Sequence, residues 1–189
     1  MNLPNKLTMS RIVLIPVFMA VLYMGFPGSD YIALIIFIIA SLTDLLDGKI
    51  ARKYNLVTDF GKFADPLADK MLVTAAMLWF VEVGRMPAWA LLIVLVREFA
   101  VSGLRMIASD KGRVIAAGWS GKVKTAATMV CIIVMLLLGP FCHPDFLSAV
   151  PYDRYISWID TACVWIIALT TLYSGVEYFV KNKDVIQSA

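Results

Sequence analysis

Long apolar runs, separated by short polar segments, dominate the chain. A helix that crosses a bilayer needs about 20 mostly apolar residues, and six runs meet this requirement. They predict spanning helices over about 8–25, 31–52, 61–83, 88–108, 120–139 and 156–180. The predicted fold class is therefore all-α: a polytopic membrane protein with six transmembrane helices and a short N-terminal amphipathic segment.

Composition and charge support this interpretation. The 189 residues are 60% hydrophobic, whereas soluble domains are usually about 45–50% apolar. The length favours one membrane domain over residues 1–189, and the net charge of +3 is too small to indicate a nucleic-acid partner. Cys131, Cys142 and Cys163 form no CxxC pair, which argues against a disulfide framework or a zinc site.

The distribution of lysine and arginine predicts the orientation. With six spans both termini lie on one side, and nearly all the basic residues fall on that side, against Arg85 and Arg154 on the other. Short loops that are rich in these residues stay in the cytoplasm. The termini and the segments 53–60 and 109–119 are therefore expected to be cytoplasmic.

One strongly charged segment, TDLLDGKIARKYNLVTDFGKFADPLADK, joins the second and third predicted helices at this cytoplasmic face. Asp44 and Asp47 share a face of one helix, and Asp65 and Asp69 share a face of the next. A charge costs about 2.5–3.5 kcal/mol at the centre of a bilayer and less near its surface. Four neighbouring carboxylates need neutralisation, and their hard oxygen atoms suit Mg²⁺ or Mn²⁺.

Small and basic residues accompany these carboxylates. Gly48, Ala51 and Gly61 would allow a substrate to approach the helix backbone closely. Arg52 offers a planar guanidinium that matches a phosphate group. The residues alone therefore predict a divalent-cation site that also binds a phosphorylated substrate.

The complete pattern Asp44-x₂-Asp47-Gly48-x₂-Ala51-Arg52-x₈-Gly61-x₃-Asp65-x₃-Asp69 resembles the signature of the CDP-alcohol phosphatidyltransferases. The flanking segments NLPNKLTMSRIVLIPVF, REFAVSGLR and GWSGKVKT resemble the bacterial branch of that family that uses glycerol 3-phosphate. This resemblance implies transfer of a phosphatidyl group from CDP-diacylglycerol to the primary hydroxyl of sn-glycerol 3-phosphate, with release of CMP. It also implies a homodimer in the plasma membrane, surrounded by membrane lipids.

The resemblance assigns roles to the signature residues. Two divalent cations, Mg²⁺ or Mn²⁺, would be held by Asp44, Asp47, Asp65 and Asp69. Asp69 would also act as the general base toward the acceptor hydroxyl. The nucleotide and diphosphate would be bound by Gly48, Ala51, Arg52 and Gly61.

A phosphorylated acceptor needs cations outside this signature. The candidates are Arg97, Arg105, Lys122 and Lys124. Arg97 lies partway into a predicted span, where an ion pair with Glu98 is the alternative interpretation. Arg105 falls on nearly the same helix face. Lys124 could instead extend to the lipid headgroups. The single histidine, His143, is expected in a solvated loop on the opposite side of the membrane.

Two other classes of function remain open from the residues. A sister transferase could use serine or inositol phosphate as acceptor; serine has no need of intramembrane arginines, whereas inositol phosphate is disfavoured only by the flanking segments. Intramembrane carboxylates also occur in cation transporters. Transporter sites lie near the membrane midplane, whereas the predicted carboxylates lie at one face.

Overall fold

The computed structural model describes residues 3–54, 59–110, 115, 118–139 and 152–184, with side chains from 9–43, 70–109, 115, 118–139 and 155–184. These residues contain helices and no strand, which confirms the predicted all-α class. The helices are α1 (Leu3–Met24), α2 (Ser29–Tyr54), α3 (Asp59–Glu82), α4 (Ala88–Asp110), α5 (Trp119–Leu138) and α6 (Tyr152–Lys181).

Each predicted span coincides with one of these helices. The predicted N-terminal segment and the first span form one continuous helix, α1. Gly25 and Gly28 separate α1 from α2 and have φ angles of 59° and 90°. These values lie in the left-handed region, which glycine adopts without the steric cost that other residues incur.

The hydrophobic core lies where the helices converge. α1 packs against α2 and α3, α5 packs against α2 and α6, and α4 packs mainly against α6. Phe18 and Phe37 are fully buried between α1 and α2, with ring centroids 6.2 Å apart. Phe80 and Ile132 extend the same cluster into α3 and α5. This core fixes the relative positions of the helices that carry the polar residues.

Apolar side chains also cover the outside of the helices. On α2 the exposed residues repeat along one face: Ile32, Ile35, Ile39 and Leu42. On α6 they include Trp158, Trp165, Leu169, Leu172 and Val176. Soluble monomers rarely expose continuous apolar surfaces of this kind. Within the described residues, Trp119–Leu138 and Tyr155–Lys181 are long and apolar enough to cross a membrane, whereas the six-span topology stays a prediction.

A buried ion pair joins the α3–α4 turn to α6. Gly84 has a φ of 73°, and the backbone N–H of Arg85 donates to the carbonyl of Phe80 at 2.8 Å, which closes the C-terminus of α3. The Arg85 guanidinium binds Asp160 through two hydrogen bonds of 2.8 Å. The two side chains are only 11% and 7% exposed. By the predicted topology this clamp lies at the outer side of the membrane.

Loss of the Asp160 charge should destabilise the protein. Asp160→Asn leaves Arg85 buried without its counter-charge, and breaking a buried pair in this way costs about 3–5 kcal/mol. Thermal unfolding of the detergent-solubilised protein measures the effect. Glu82→Gln, an exposed position at the end of α3, is the matched control and should unfold like the wild type. Equal unfolding temperatures for Asp160→Asn and the control would contradict the assignment.

Candidate active site

The signature residues lie on two helices that pack against each other. Their backbone positions fall on α2 for Asp44, Asp47, Gly48, Ala51 and Arg52, and on α3 for Gly61, Asp65 and Asp69. Both helices continue without interruption through these positions. The spacing of the carboxylates along each helix is therefore as predicted. Their side chains lie outside the described part of the structure, so the metal-binding geometry stays a prediction.

A second group of charges meets at Glu98 on α4. Glu98 Oε1 accepts hydrogen bonds from Arg97 Nη1 at 2.9 Å and from Lys124 Nζ at 2.8 Å. Lys70 Nζ lies 3.7 Å from Glu98 Oε2 and donates to Ser102 Oγ. Helices α3, α4 and α5 thus bring three cations to one carboxylate. Arg97, Glu98, Lys70 and Lys124 are called the Glu98 cluster below.

Arg97 extends between two glycines of neighbouring helices. Its Nη2 donates to Ser174 Oγ on α6 at 2.7 Å. A Cβ atom added at Gly121 of α5 would lie 3.4 Å from Nη2, and one added at Gly175 of α6 would lie 3.3 Å from Arg97 Cγ. Because glycine has no side chain, Gly121 and Gly175 leave the space that the arginine occupies. The predicted alternative, an ion pair with Glu98, is confirmed, and this pair is part of the larger cluster.

Lys124 is buried in the helix bundle. Its side chain is 6% exposed and its amine contacts Glu98, so it does not extend to the lipid headgroups. Lys122 is exposed two residues earlier on α5. Residues two positions apart on a helix point in different directions. Of the two lysines proposed from the GKVKT segment, the structure therefore brings only Lys124 into the Glu98 cluster.

Arg105 contacts α6 instead of Glu98. Its Nε donates to the Tyr178 hydroxyl at 3.2 Å, and its guanidinium carbon lies 5.5 Å from the centroid of the Tyr178 ring. Ser174 and Tyr178 are one turn apart on α6, so Arg97 and Arg105 do face the same neighbouring helix, as the spacing predicts. Arg105 is exposed, and its described contacts place it beside Tyr178 rather than within the Glu98 cluster.

A cavity of about 400 Å³ adjoins the Glu98 cluster. Its polar lining consists of Lys70, Thr74, Glu98, Lys124, Thr125 and Thr128, and apolar residues of α1, α3 and α4 form the remaining wall. Thr128 is almost fully buried, and its hydroxyl has no hydrogen-bond partner among the described residues. The cavity lining thus combines two lysines, the Glu98 carboxylate and threonine hydroxyls with apolar side chains.

Sequence reasoning missed Lys70 and the central role of Glu98. It also missed the small residues that accommodate the cations. A signal for them exists: Ser-Gly pairs occur at 102–103, 120–121 and 174–175 in three different apolar helices. Ser102 contacts Lys70, whereas Gly121, Ser174 and Gly175 surround Arg97. His143 lies outside the described residues.

Comparison with known proteins identifies a family. The model of the family described as CDP-alcohol phosphatidyltransferase matches residues 1–174. A Bacillus subtilis (strain 168) protein named CDP-diacylglycerol–glycerol-3-phosphate 3-phosphatidyltransferase is 40% identical, with 100% of this chain and 98% of the relative covered. A Rickettsia bellii (strain RML369-C) protein of the same name is 36% identical, with 96% of each chain covered.

A third relative comes from Mycobacterium tuberculosis (strain ATCC 25618 / H37Rv) and is named a probable phosphatidylglycerophosphate synthase. It is 36% identical, with 95% of this chain and 81% of the relative covered. The family match and these relatives extend over nearly the whole chain and agree with the signature on α2 and α3. This chain belongs to the CDP-alcohol phosphatidyltransferase family.

Proposed function

We propose that this protein transfers the phosphatidyl group of CDP-diacylglycerol to sn-glycerol 3-phosphate, giving phosphatidylglycerophosphate and CMP. The observation that carries the choice of a phosphorylated acceptor is the Glu98 cluster, because an acceptor with its own phosphate requires cations outside the donor site. The names of the curated relatives support the same reaction. An uncharged or zwitterionic acceptor such as serine gives no reason to bury Arg97 and Lys124.

The donor half of the site is formed by the cytoplasmic part of α2 and the first turns of α3. Two divalent cations, Mg²⁺ or Mn²⁺, fit the chemistry of four carboxylates on adjacent helices and would be held by Asp44, Asp47, Asp65 and Asp69. When bound, such ions neutralise charge on a diphosphate and on its leaving group. Gly48, Ala51, Arg52 and Gly61 would contact the nucleotide and the diphosphate.

The reaction displaces CMP from the phosphatidyl phosphorus. The primary hydroxyl oxygen of glycerol 3-phosphate attacks that phosphorus, and the bond from phosphorus to the CMP oxygen breaks. Asp69 receives the hydroxyl proton. A carboxylate is a weak base at neutral pH, so the proton moves as the new bond forms rather than before it. The protein's main contribution is to hold the two substrates in line.

The acceptor half is formed by α3, α4 and α5. Arg97 and Lys124 would bind the phosphate of glycerol 3-phosphate, and each charge-assisted hydrogen bond contributes about 1.5–3 kcal/mol. Arg105 is exposed near the C-terminal end of α4, and Lys122 is exposed near the N-terminal end of α5. They would act at the margin of the site, where they attract anionic substrates by long-range electrostatics.

The membrane arrangement is part of the proposal. Six spans with cytoplasmic termini would place both halves of the site at the inner face of a bacterial plasma membrane, where a lipid donor and a soluble acceptor meet. The exposed apolar faces of α2 and α6 support contact with lipid. A homodimer follows from the resemblance to the family and is proposed on that basis alone.

An acceptor panel tests the reaction directly. Purified protein with CDP-diacylglycerol and Mg²⁺ should release CMP with glycerol 3-phosphate and form phosphatidylglycerophosphate. Serine, glycerol and inositol phosphate should give at most background release. Product identification by mass spectrometry separates transfer from hydrolysis. Preferred transfer to inositol phosphate or to serine would overturn the proposed acceptor while leaving the family assignment intact.

The metal proposal predicts a loss of turnover from one signature substitution. Asp44→Asn removes a proposed ligand charge, so kcat should fall at least about a hundredfold, while the protein still folds and inserts. Asp59→Asn has the same chemistry outside the signature and should retain activity. Excess chelator should stop the wild type, and Mg²⁺ or Mn²⁺ should restore it. Full activity in chelator would refute the metal dependence.

The two lysines of α5 should differ in kinetics. Lys124→Gln should raise the apparent KM for glycerol 3-phosphate by roughly ten- to a hundredfold, because one charge-assisted bond is lost, and should leave the KM for CDP-diacylglycerol nearly unchanged. Lys122→Gln is the matched control and should change the acceptor KM much less. Equal effects of the two substitutions, with each substrate varied in turn, would place the acceptor phosphate elsewhere.

A further inference from the structure

We propose that Glu98 is a positioning residue that holds Arg97, Lys124 and Lys70 together until a phosphate dianion displaces it from the two lysines and binds beside Arg97. Lys70 then becomes a third cation of the acceptor site. The inference deepens the proposed function and rests on it for the identity of the phosphate. Its physical basis is the geometry and charge of the Glu98 cluster.

The charges within the cluster do not balance. Among the side chains that the structure describes, three positive groups face one carboxylate, a formal excess of two positive charges. Both hydrogen bonds to Arg97 and Lys124 fall on a single oxygen, Oε1, and the contact from Oε2 to Lys70 is longer, at 3.7 Å. A phosphate monoester carries about two negative charges. Such a group would neutralise the excess charge, which a monoanion cannot do.

The cavity gives this group access to the lysines. Lys70, Glu98 and Lys124 all line it, and so does Thr128, whose hydroxyl has no hydrogen-bond partner among the described residues. Arg97 does not line this cavity but is enclosed between Gly121 and Gly175 and bonded to Ser174. The arginine is therefore the fixed part of the cluster. The lysine amines, each on a flexible stem, are the groups that can exchange one anion for another.

Lys70 connects this exchange to the chemistry. It follows Asp69 directly on α3, so a phosphate that binds Lys70 lies beside the helix that carries the proposed base. Its side chain is 35% exposed, whereas that of Lys124 is 6% exposed. Lys70 is thus the more accessible of the two amines. Glu98 acts through these cations and makes no contact with the reacting atoms in this proposal.

A purely structural ion pair gives different behaviour from a positioning residue. If Glu98 only neutralises buried cations, its loss destabilises the protein and added phosphate does nothing specific. If Glu98 holds the place of a phosphate, added phosphate should compensate for the missing carboxylate. The measurement is thermal unfolding of the full-length protein in detergent at mildly alkaline pH. Inorganic phosphate is the probe, and sodium chloride of equal ionic strength is the salt control.

Glu98→Gln should unfold about 5 °C or more below the wild type in chloride, because buried cations lose their counter-charge. Phosphate should recover at least half of this difference and should shift the wild type less. Glu98→Asp should lie between the two, since it keeps the charge on a shorter stem. Glu82→Gln makes the same chemical change at an exposed site and should behave as the wild type does in both salts.

Two results would overturn the proposal. The first is that phosphate stabilises Glu98→Gln no more than chloride does, which would leave Glu98 a structural residue. The second is that adding Lys70→Gln to Glu98→Gln leaves the phosphate response unchanged, which would remove Lys70 from the site. If Glu98→Gln does not fold, Glu98→Asp provides the same comparison, and an equal phosphate response in Glu98→Asp and wild type is the negative result.

This experiment contains no donor lipid and measures no turnover. Its failure would therefore leave transfer to glycerol 3-phosphate standing if the acceptor panel shows that activity. Conversely, a phosphate-specific response without any transferase activity would support an anion site at Glu98 and refute the proposed reaction. The two proposals are thus separated by their readouts.

Discussion

The ion pairs at Glu98 join α3, α4 and α5 inside the bundle, and the proposed acceptor site depends on them. Lys124 and Arg97 are buried among apolar helices, where an unpaired charge is costly. One carboxylate on α4 accepts hydrogen bonds from both, and Arg97 also bonds to α6 through Ser174. These contacts tie α4 to α5 and α6 through side chains. Gly121 and Gly175 leave the space that the arginine side chain occupies.

Two groups of charged residues, the Arg85–Asp160 pair and the Glu98 cluster, differ in how their charges are paired. At the α3–α4 turn, Arg85 and Asp160 pair through two hydrogen bonds and join the turn to α6. Within the described side chains, the Glu98 cluster has three cations for one carboxylate, and it adjoins a cavity. A matched ion pair suits a structural clamp, whereas excess positive charge beside a cavity suits recognition of an anion. This contrast supports placing the acceptor phosphate at the Glu98 cluster.

The sequence predicted the helices well because their apolar runs are long and are bounded by glycine, proline and charge. It also predicted that Arg97 and Arg105 share a helix face, since that depends only on spacing along α4. It could not predict that Lys124 is buried or that Lys70 joins it at Glu98. Those contacts join α3 and α5 to α4 across 28 and 26 residues of sequence. Such pairing depends on tertiary packing. The metal ligands stay a prediction from spacing and resemblance.

A structure of the protein with glycerol 3-phosphate bound is the most direct test of the claim that the Glu98 cluster recognises the acceptor. The phosphate is expected within hydrogen-bonding distance of Lys124, Lys70 and Arg97, about 3 Å, with both lysine amines moved from Glu98 onto the phosphate. The free primary hydroxyl is expected to be directed toward Asp69. A phosphate held by Arg105 and Lys122, with the Glu98 ion pairs intact, would contradict the account.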